Sequence, residues 1–159
     1  MTLLRAVARP MLASMFVVGG LNSVKNAKAM APRAKPITDK LTALAQSVAP
    51  QFPLPDNAEM FVRVNGAVHI AAGAALATGR VPRLSAMVLA GTMVPTTLAG
   101  HPFWAESDPT ARANQRTHFF KNVSMIGGLL MAMLDPDPHK KILVARAKDK
   151  IVEIAPTSS

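Results

Sequence analysis

Cysteine and tyrosine are both absent from this sequence, and aromatic residues make up only 4% of it. Without cysteine the chain has no disulfide, no thiolate metal ligand and no cysteine nucleophile. Acidic residues are scarce, since 9 Asp and Glu stand against 18 Lys and Arg. None of these acids lies within the long apolar stretches of the chain, which argues against a carboxylate proton relay or a cation-coupled transporter.

Charge of either sign is missing from four long stretches. A soluble amphipathic helix carries a charged residue on its outer face every turn or two. Its absence in all four stretches favours lipid as their surroundings and predicts an all-α, four-helix transmembrane bundle. An unusually apolar soluble four-helix bundle is the alternative. The stretches are Pro10–Val24, Val64–Gly79, Leu84–Ala105 and Asn122–Leu134.

Capping residues set the expected helix ends. Asp56 with Glu59 forms a pattern typical of a capping box before the second helix. Gly79 should end that helix, and Pro82 fits the first turn of the third. Asp108 before Pro109 should start the fourth helix. The predicted spans are about 3–24, 60–79, 82–99 and 116–134.

The segments outside the spans are polar or basic. Residues 25–55 contain five prolines and many charges, which predicts a long polar loop with one short surface helix over Thr38–Val48. Residues 136–159 form a basic tail. Within it, Lys140–Ile154 carries an apolar face and five basic residues, which predicts an amphipathic helix lying on the membrane surface.

Basic residues near the spans set the orientation. The N-terminal segment and the turn between helices two and three contribute Arg5, Arg9, Arg80 and Arg83 with no acid among them. The positive-inside rule therefore predicts a multi-pass plasma-membrane protein with both termini in the cytoplasm. For the net charge of +9, anionic lipid head groups are the expected partner, and nucleic acid is not.

The N-terminal region allows a second interpretation. Arg5 and Arg9 before the apolar Met11–Val24 stretch, followed by small residues at 27 and 29, resemble a secretory signal peptide. Lys25 and Lys28 are atypical near such a cleavage site. A first transmembrane helix is the preferred interpretation.

Polar residues at membrane depth are the candidate binding site, because each costs free energy that a partner must offset. His69 lies well inside both ends of its predicted helix, and Asn65 lies one turn before it on the same face. We expect the polar residues of helices two and four to converge in one polar cavity in the outer half of the bundle, covered by the loop from His101 to Trp104. The competing interpretation is that they only snorkel or join neighbouring helices. The candidate residues are Arg63, Asn65, His69, His101, Trp104, His118, Lys121 and Asn122.

Four groups of short motifs follow one another along the chain. They are RPMLAS at 9–14 leading to Gly19-Gly20, RVNGA at 63–67 with ATGR at 77–80, VPTT at 94–97 through HPFW at 101–104, and Gln115-Arg116 with His118-Phe119 and Lys121-Asn122. In this order and spacing they resemble the DoxX family of small bacterial membrane proteins, especially its actinobacterial branch. The resemblance covers most of residues 5–134 and leaves out the 25–55 segment and the tail.

The resemblance implies a four-helix membrane fold and an association with redox chemistry. The family is named after a subunit linked to quinone-dependent sulfur oxidation, and relatives are tied to oxidative-stress defence. It implies no catalytic residue here. A resemblance in fold associates the chain with redox chemistry but assigns it no reaction.

The leading hypothesis is an accessory membrane subunit of a redox or oxidative-stress assembly, which anchors partner proteins and binds a quinone-like or lipid molecule in the outer polar pocket. A quinone-reactive oxidoreductase subunit with a partner-supplied redox centre is the second hypothesis, and a small-solute permease the third. No motif encodes a cofactor, and two histidines without a carboxylate make a poor metal site.

Overall fold

The computed structural model describes residues 3–48, 51 and 57–134, and contains no strand within these ranges. The all-α fold class is confirmed. The basic tail and its predicted surface helix lie outside the described residues. The described residues form five helices and one short 3₁₀ turn, in the order α1 (Leu3–Lys25), α2 (Ala27–Val48), α3 (Ala58–Thr78), α4 (Pro82–Gly100), the 3₁₀ turn (Phe103–Ala105) and α5 (Pro109–Leu134).

Helix α2 corrects one prediction. The expected polar loop over 25–55 is helical from Ala27 to Val48, and the predicted surface helix is only its second half. Its buried residues Ala27, Ala34 and Thr38 share one face, and the helix packs against α3 and α4. Two prolines lie inside α2, each with a cost of about 3 kcal/mol in a helix interior. Tertiary packing offsets that cost, which a local pattern cannot reveal.

The N-cap of α3 lies one residue later than predicted. The side-chain oxygen of Asn57 accepts a hydrogen bond from the Met60 N–H at 2.7 Å, so Asn57 is the N-cap. Glu59 does not complete a capping box, because its carboxylate pairs with Arg63 at 2.8 Å. Asn57 offers the same kind of acceptor as an aspartate, and the i, i+4 ion pair occupies Glu59.

The other predicted helix ends are confirmed. Gly79 has a φ of 68°, the left-handed conformation that glycine adopts without strain, and it caps α3. Pro82 opens α4, which continues through Pro95 and ends at Gly100. The Asp108 carboxylate accepts from the Ala111 N–H at 2.6 Å at the start of α5.

Helices α1 and α3 are antiparallel and closely packed. Gly20 of α1 faces Gly66 of α3, while Gly73 of α3 lies beside Ala13 and Val17 of α1. The N-terminus of α1 and the C-terminus of α3 therefore lie at the same end of the bundle. We call it the arginine end, after Arg5, Arg9, Arg80 and Arg83.

The core is small and lies between α1, α3, α4 and α5. Leu76, Leu89 and Leu129 are its largest fully buried side chains, and Phe16 adds the ring that α1 contributes. Helix α5 buries only Asn122 and Leu129. The buried core residues all lie on the inner faces of their helices. They are Ala13, Phe16, Leu76, Ala86, Leu89, Ala90, Met93 and Leu129.

Large apolar side chains cover much of the outer surface. On α1 alone, Leu4 is 78% exposed, Met11 69% and Val18 65%. Soluble monomers rarely expose apolar surface on this scale, which disfavours the soluble bundle. Within the described residues, α1 and α3 are both long and apolar enough to cross a membrane, and only 17% and 28% of their most apolar windows are buried. The exposed faces suit contact with lipid acyl chains.

Candidate functional site

Three polar side chains inside the bundle bind threonines of α4. The Asn65 amide donates to the Thr96 hydroxyl at 3.0 Å. A ring nitrogen of His69 shares a hydrogen bond with the Thr92 hydroxyl, also at 3.0 Å. From the opposite neighbour, α5, the Asn122 amide donates to the Thr97 hydroxyl at 3.2 Å. Helix α4 is therefore the common partner of polar groups on α3 and α5.

The threonines are themselves satisfied. Thr92, Thr96 and Thr97 each donate to the carbonyl oxygen four residues earlier, all at 2.8 Å. Each threonine hydroxyl donates a hydrogen bond to its own helix and accepts one from a neighbouring helix. Within the described part of the chain, no buried side-chain nitrogen or oxygen lacks a partner. These hydrogen bonds offset the free-energy cost of burying polar groups away from water.

His69 also contacts an aromatic ring of α1. The Phe16 ring meets its imidazole edge to face, with the centroids 5.5 Å apart. His69 is only 6% exposed. It thus links α1, α3 and α4, which explains how a histidine is accommodated deep inside its helix.

A second group lies where α4 and α5 meet the 3₁₀ turn, at the end opposite the arginine end. We call it the histidine end. The His101 and His118 rings stack with centroids 5.2 Å apart and an interplanar angle of 19°. Nδ1 of His101 lies 2.8 Å from the Gln115 side-chain oxygen. Nδ1 of His118 lies 3.3 Å from the Lys121 ammonium nitrogen.

Each of these ring nitrogens donates or accepts according to the tautomer. A carboxamide oxygen only accepts, so the tautomer of His101 that suits Gln115 has its proton on Nδ1 and an acceptor at Nε2. An ammonium group only donates, so the tautomer of His118 that suits Lys121 has an acceptor at Nδ1 and its proton on Nε2. In these tautomers the stacked pair offers one acceptor and one donor next to the positive charge of Lys121.

Aromatic rings of the 3₁₀ turn and of α5 form a cluster at the same end of the bundle. Trp104 lies 5.2 Å from Phe103 and 5.9 Å from Phe119, measured between ring centroids. Phe119 also meets Phe120 at 5.6 Å. Trp104 is 52% exposed. The histidine end combines polar donors and acceptors with an accessible aromatic surface.

The structure does not bring the candidate residues together in one cavity. Asn65 and His69 reach one face of α4, whereas Asn122 reaches Thr97 from α5, because α4 lies between the two helices. His101, Trp104, His118 and Lys121 gather separately at the histidine end. Arg63 joins neither group, since it is exposed and paired with Glu59.

The threonines of α4 are the polar residues that the sequence interpretation missed. Their spacing of i, i+4 and i+5 in a charge-free stretch was the available signal. The free-energy cost of a polar side chain in lipid does not single out threonine. Threonine is cheap there, because it can bond to its own helix. Among the described residues, no three His, Cys, Asp or Glu side chains lie close enough to hold a metal ion.

Comparison with known proteins gives one result. The DoxX family model matches residues 4–102. The match runs from α1 to the loop after α4, so it includes α2, which the motif resemblance had left out, and it ends before α5. No curated protein and no solved structure matches. Since the family model covers well over half of the chain, this protein belongs to the DoxX family, a membrane protein family associated with redox and stress-related roles.

Proposed function

We propose that this protein is an accessory subunit of a redox assembly, crosses the plasma membrane four times, and binds the ring of a quinone-like molecule at the histidine end. The stacked His101–His118 pair beside Lys121 carries the proposal, and the exposed Trp104 at the same end of the bundle supports it. Family membership supports the redox context, and the geometry supports the proposed ligand class.

The proposed ligand matches this chemistry. A quinone carbonyl needs a hydrogen-bond donor, which the Nε2–H of His118 or the Lys121 ammonium offers. A quinol hydroxyl needs an acceptor, which Nε2 of His101 offers. The flat ring of either form can pack on the exposed Trp104 surface. Both redox forms of one ligand thus find complementary groups among four side chains.

The same residues also indicate an accessory role. Imidazole, ammonium and carboxamide groups orient a quinone and exchange protons with it, but they do not deliver electrons. The electrons must come from a redox centre on a partner protein. An oxidoreductase subunit in which that partner reduces the bound quinone is the alternative, and it uses the same site.

Trp104 allows a direct binding test, because it is the chain's single tryptophan and lies within the proposed site. A water-soluble short-chain quinone, titrated into the detergent-solubilised protein, should quench its fluorescence with saturation. His118→Leu and Lys121→Met should each raise the apparent Kd roughly two- to tenfold, as expected for the loss of one hydrogen bond.

Lys28→Met is the matched control, since Lys28 is an exposed lysine of α2, a helix that contributes no residue to the cluster. It should leave the apparent Kd unchanged. Quenching that rises linearly without saturation, equally in all variants, would show collisional contact only and would exclude the quinone site.

Partner binding needs a separate experiment. The tagged full-length protein is purified from native membranes in a mild detergent, and the material is examined by mass spectrometry and optical spectroscopy. A co-purifying protein with a flavin, haem or iron–sulfur spectrum supports the accessory role. Recovery of this chain alone, after cross-linking in the membrane, contradicts it.

A further inference from the structure

Helix α2 is too polar to cross a membrane. All of its charged side chains are exposed, and charged side chains are costly at the centre of a bilayer. The helix follows α1 after a single residue, Asn26, so it starts at the histidine end, where α1 finishes. It therefore begins at the level of the lipid head groups. Its charged residues are Lys28, Arg33, Lys35, Asp39 and Lys40.

An apolar row borders the buried face of α2. Residues seven apart lie nearly on one line along a helix, because seven residues make about two turns. Met30, Ile37 and Leu44 form such a line, next to the buried face that packs against α3 and α4. Met30 and Ile37 are half-buried, whereas Leu44 is 63% exposed and Val48, which extends the row, 77%. The described part of the chain therefore covers this row only in part.

A basic row lies on the far side of the apolar row. Arg33 and Lys40 each follow a member of the apolar row by three residues, which places them about 60° further round the helix. Both side chains are exposed. Among the described residues, no ion pair holds either of them. Apolar side chains and available positive charges thus run side by side along this edge of α2.

The opposite edge of α2 carries no large apolar side chain. There Lys35 pairs with Asp39 at 2.9 Å while both side chains stay more than half exposed, and Lys28 lies seven residues before Lys35 on the same line. A helix with water on both sides has no physical reason for two such different edges. The difference suits a helix at the membrane surface, with one edge in lipid and the other in water.

We propose that α2 lies along the membrane surface, with its apolar row among the acyl chains and with Arg33 and Lys40 bound to the phosphates of anionic lipids. Charge complementarity selects the anionic head group. The apolar row selects a lipid over free phosphate or an acidic protein surface, because either of those would leave Leu44 in a polar environment. This surface is independent of the proposed quinone site, to which α2 contributes no residue.

Two single cysteines test which edge meets the lipid. An environment-sensitive fluorophore is attached at Leu44→Cys in the otherwise cysteine-free full chain. Gln46→Cys is the matched control, since position 46 is exposed and lies on the opposite edge. In nanodiscs of phosphatidylcholine and phosphatidylglycerol, nitroxide-labelled lipid should quench the label at 44 strongly and the label at 46 weakly. Iodide in the buffer should quench them in the reverse order.

Equal quenching of the two labels by iodide would place both edges in water. That result would overturn the lipid surface and leave an acidic partner protein as the ligand of the basic row.

Matched charge variants test the anionic head group. Native mass spectrometry counts the lipid retained by the detergent-solubilised full chain after equal amounts of phosphatidylglycerol and phosphatidylcholine are added. Arg33→Gln/Lys40→Gln should weaken phosphatidylglycerol binding roughly thirtyfold, on the usual contribution of two basic residues at an anionic surface. Lys28→Gln/Lys35→Gln removes the same charge at the same spacing from the opposite edge and should retain most of the binding.

Equal loss in the two double variants would reduce the effect to net charge and contradict the proposal. Competition with millimolar inorganic phosphate distinguishes the sources of the anion. Full displacement of the lipid by phosphate would identify a free anion as the ligand and would also overturn the lipid surface.

Discussion

Gly20 and Gly66 face each other across the α1–α3 contact so closely that neither has room for a side chain. A Cβ on Gly20 would lie 2.6 Å from the Gly66 carbonyl oxygen, and a Cβ on Gly66 would lie 2.8 Å from that of Gly20. Real Cβ atoms do not approach backbone oxygens this closely. The two backbones are therefore in direct contact, as small residues permit in membrane helices.

This contact predicts opposite results at two adjacent glycines. Gly20→Ala should destabilise the fold by about 1–3 kcal/mol, the usual cost of overpacking. Gly19→Ala should be neutral or slightly stabilising, because nothing lies within 4 Å of its Cβ position and alanine is the better helix former. Unfolding in mixed micelles of dodecyl sulfate, followed by circular dichroism, measures both. Equal stability of the two variants would contradict the close approach.

The His69–Thr92 hydrogen bond predicts a measurable coupling energy. A double-mutant cycle with His69→Leu and Thr92→Val should give about 0.6 kcal/mol and at most about 1.7, the range found between membrane helices. Asn65 and Thr97 share no hydrogen bond, so Asn65→Leu with Thr97→Val serves as the reference cycle and should give none. A coupling energy no larger than in the reference would mean that the His69 contact contributes no specific stability.

A four-span topology with both termini in the cytoplasm predicts the labelling of single cysteines, for which the cysteine-free chain is well suited. Ser47→Cys and Ser107→Cys should react with a membrane-impermeant maleimide in intact cells. Arg80→Cys and Ser159→Cys should react only after permeabilisation.

Ser107 distinguishes the two topologies that remain open. If only α1 and α3 cross the membrane, residue 107 lies on the same side as residue 80 and stays protected in intact cells. Labelling of Ser107→Cys from outside therefore requires that α4 also crosses, and protection at this position would contradict four spans.

The predicted surface helix of the tail can be tested on a peptide covering 140–154. Its apolar face and five basic residues should make it helical on vesicles containing phosphatidylglycerol and largely unordered in buffer. Circular dichroism with phosphatidylcholine vesicles provides the comparison. A spectrum that does not change with anionic lipid would leave the segment as an ordinary solvated extension.

The sequence by itself determined the helical class, the four long helices and most of their ends. A stretch without charged residues that is long enough for a helix can be recognised directly in the sequence. Its main physical cause is an apolar environment around that helix. Gly79, Pro82 and Asp108 act through their own backbone or through groups a few residues away. Such short-range effects can be read from the chain without its fold.

Tertiary structure decided the rest, because the outcome depends on which surfaces meet. Helix α2 forms despite Pro32 and Pro36 because its buried face packs on α3 and α4. Asn65 and His69 are held apart from Asn122, because α4 lies between α3 and α5 and offers Thr92 and Thr96 to α3 and Thr97 to α5. Relative helix positions depend on packing between residues far apart in the chain, and no local pattern encodes them.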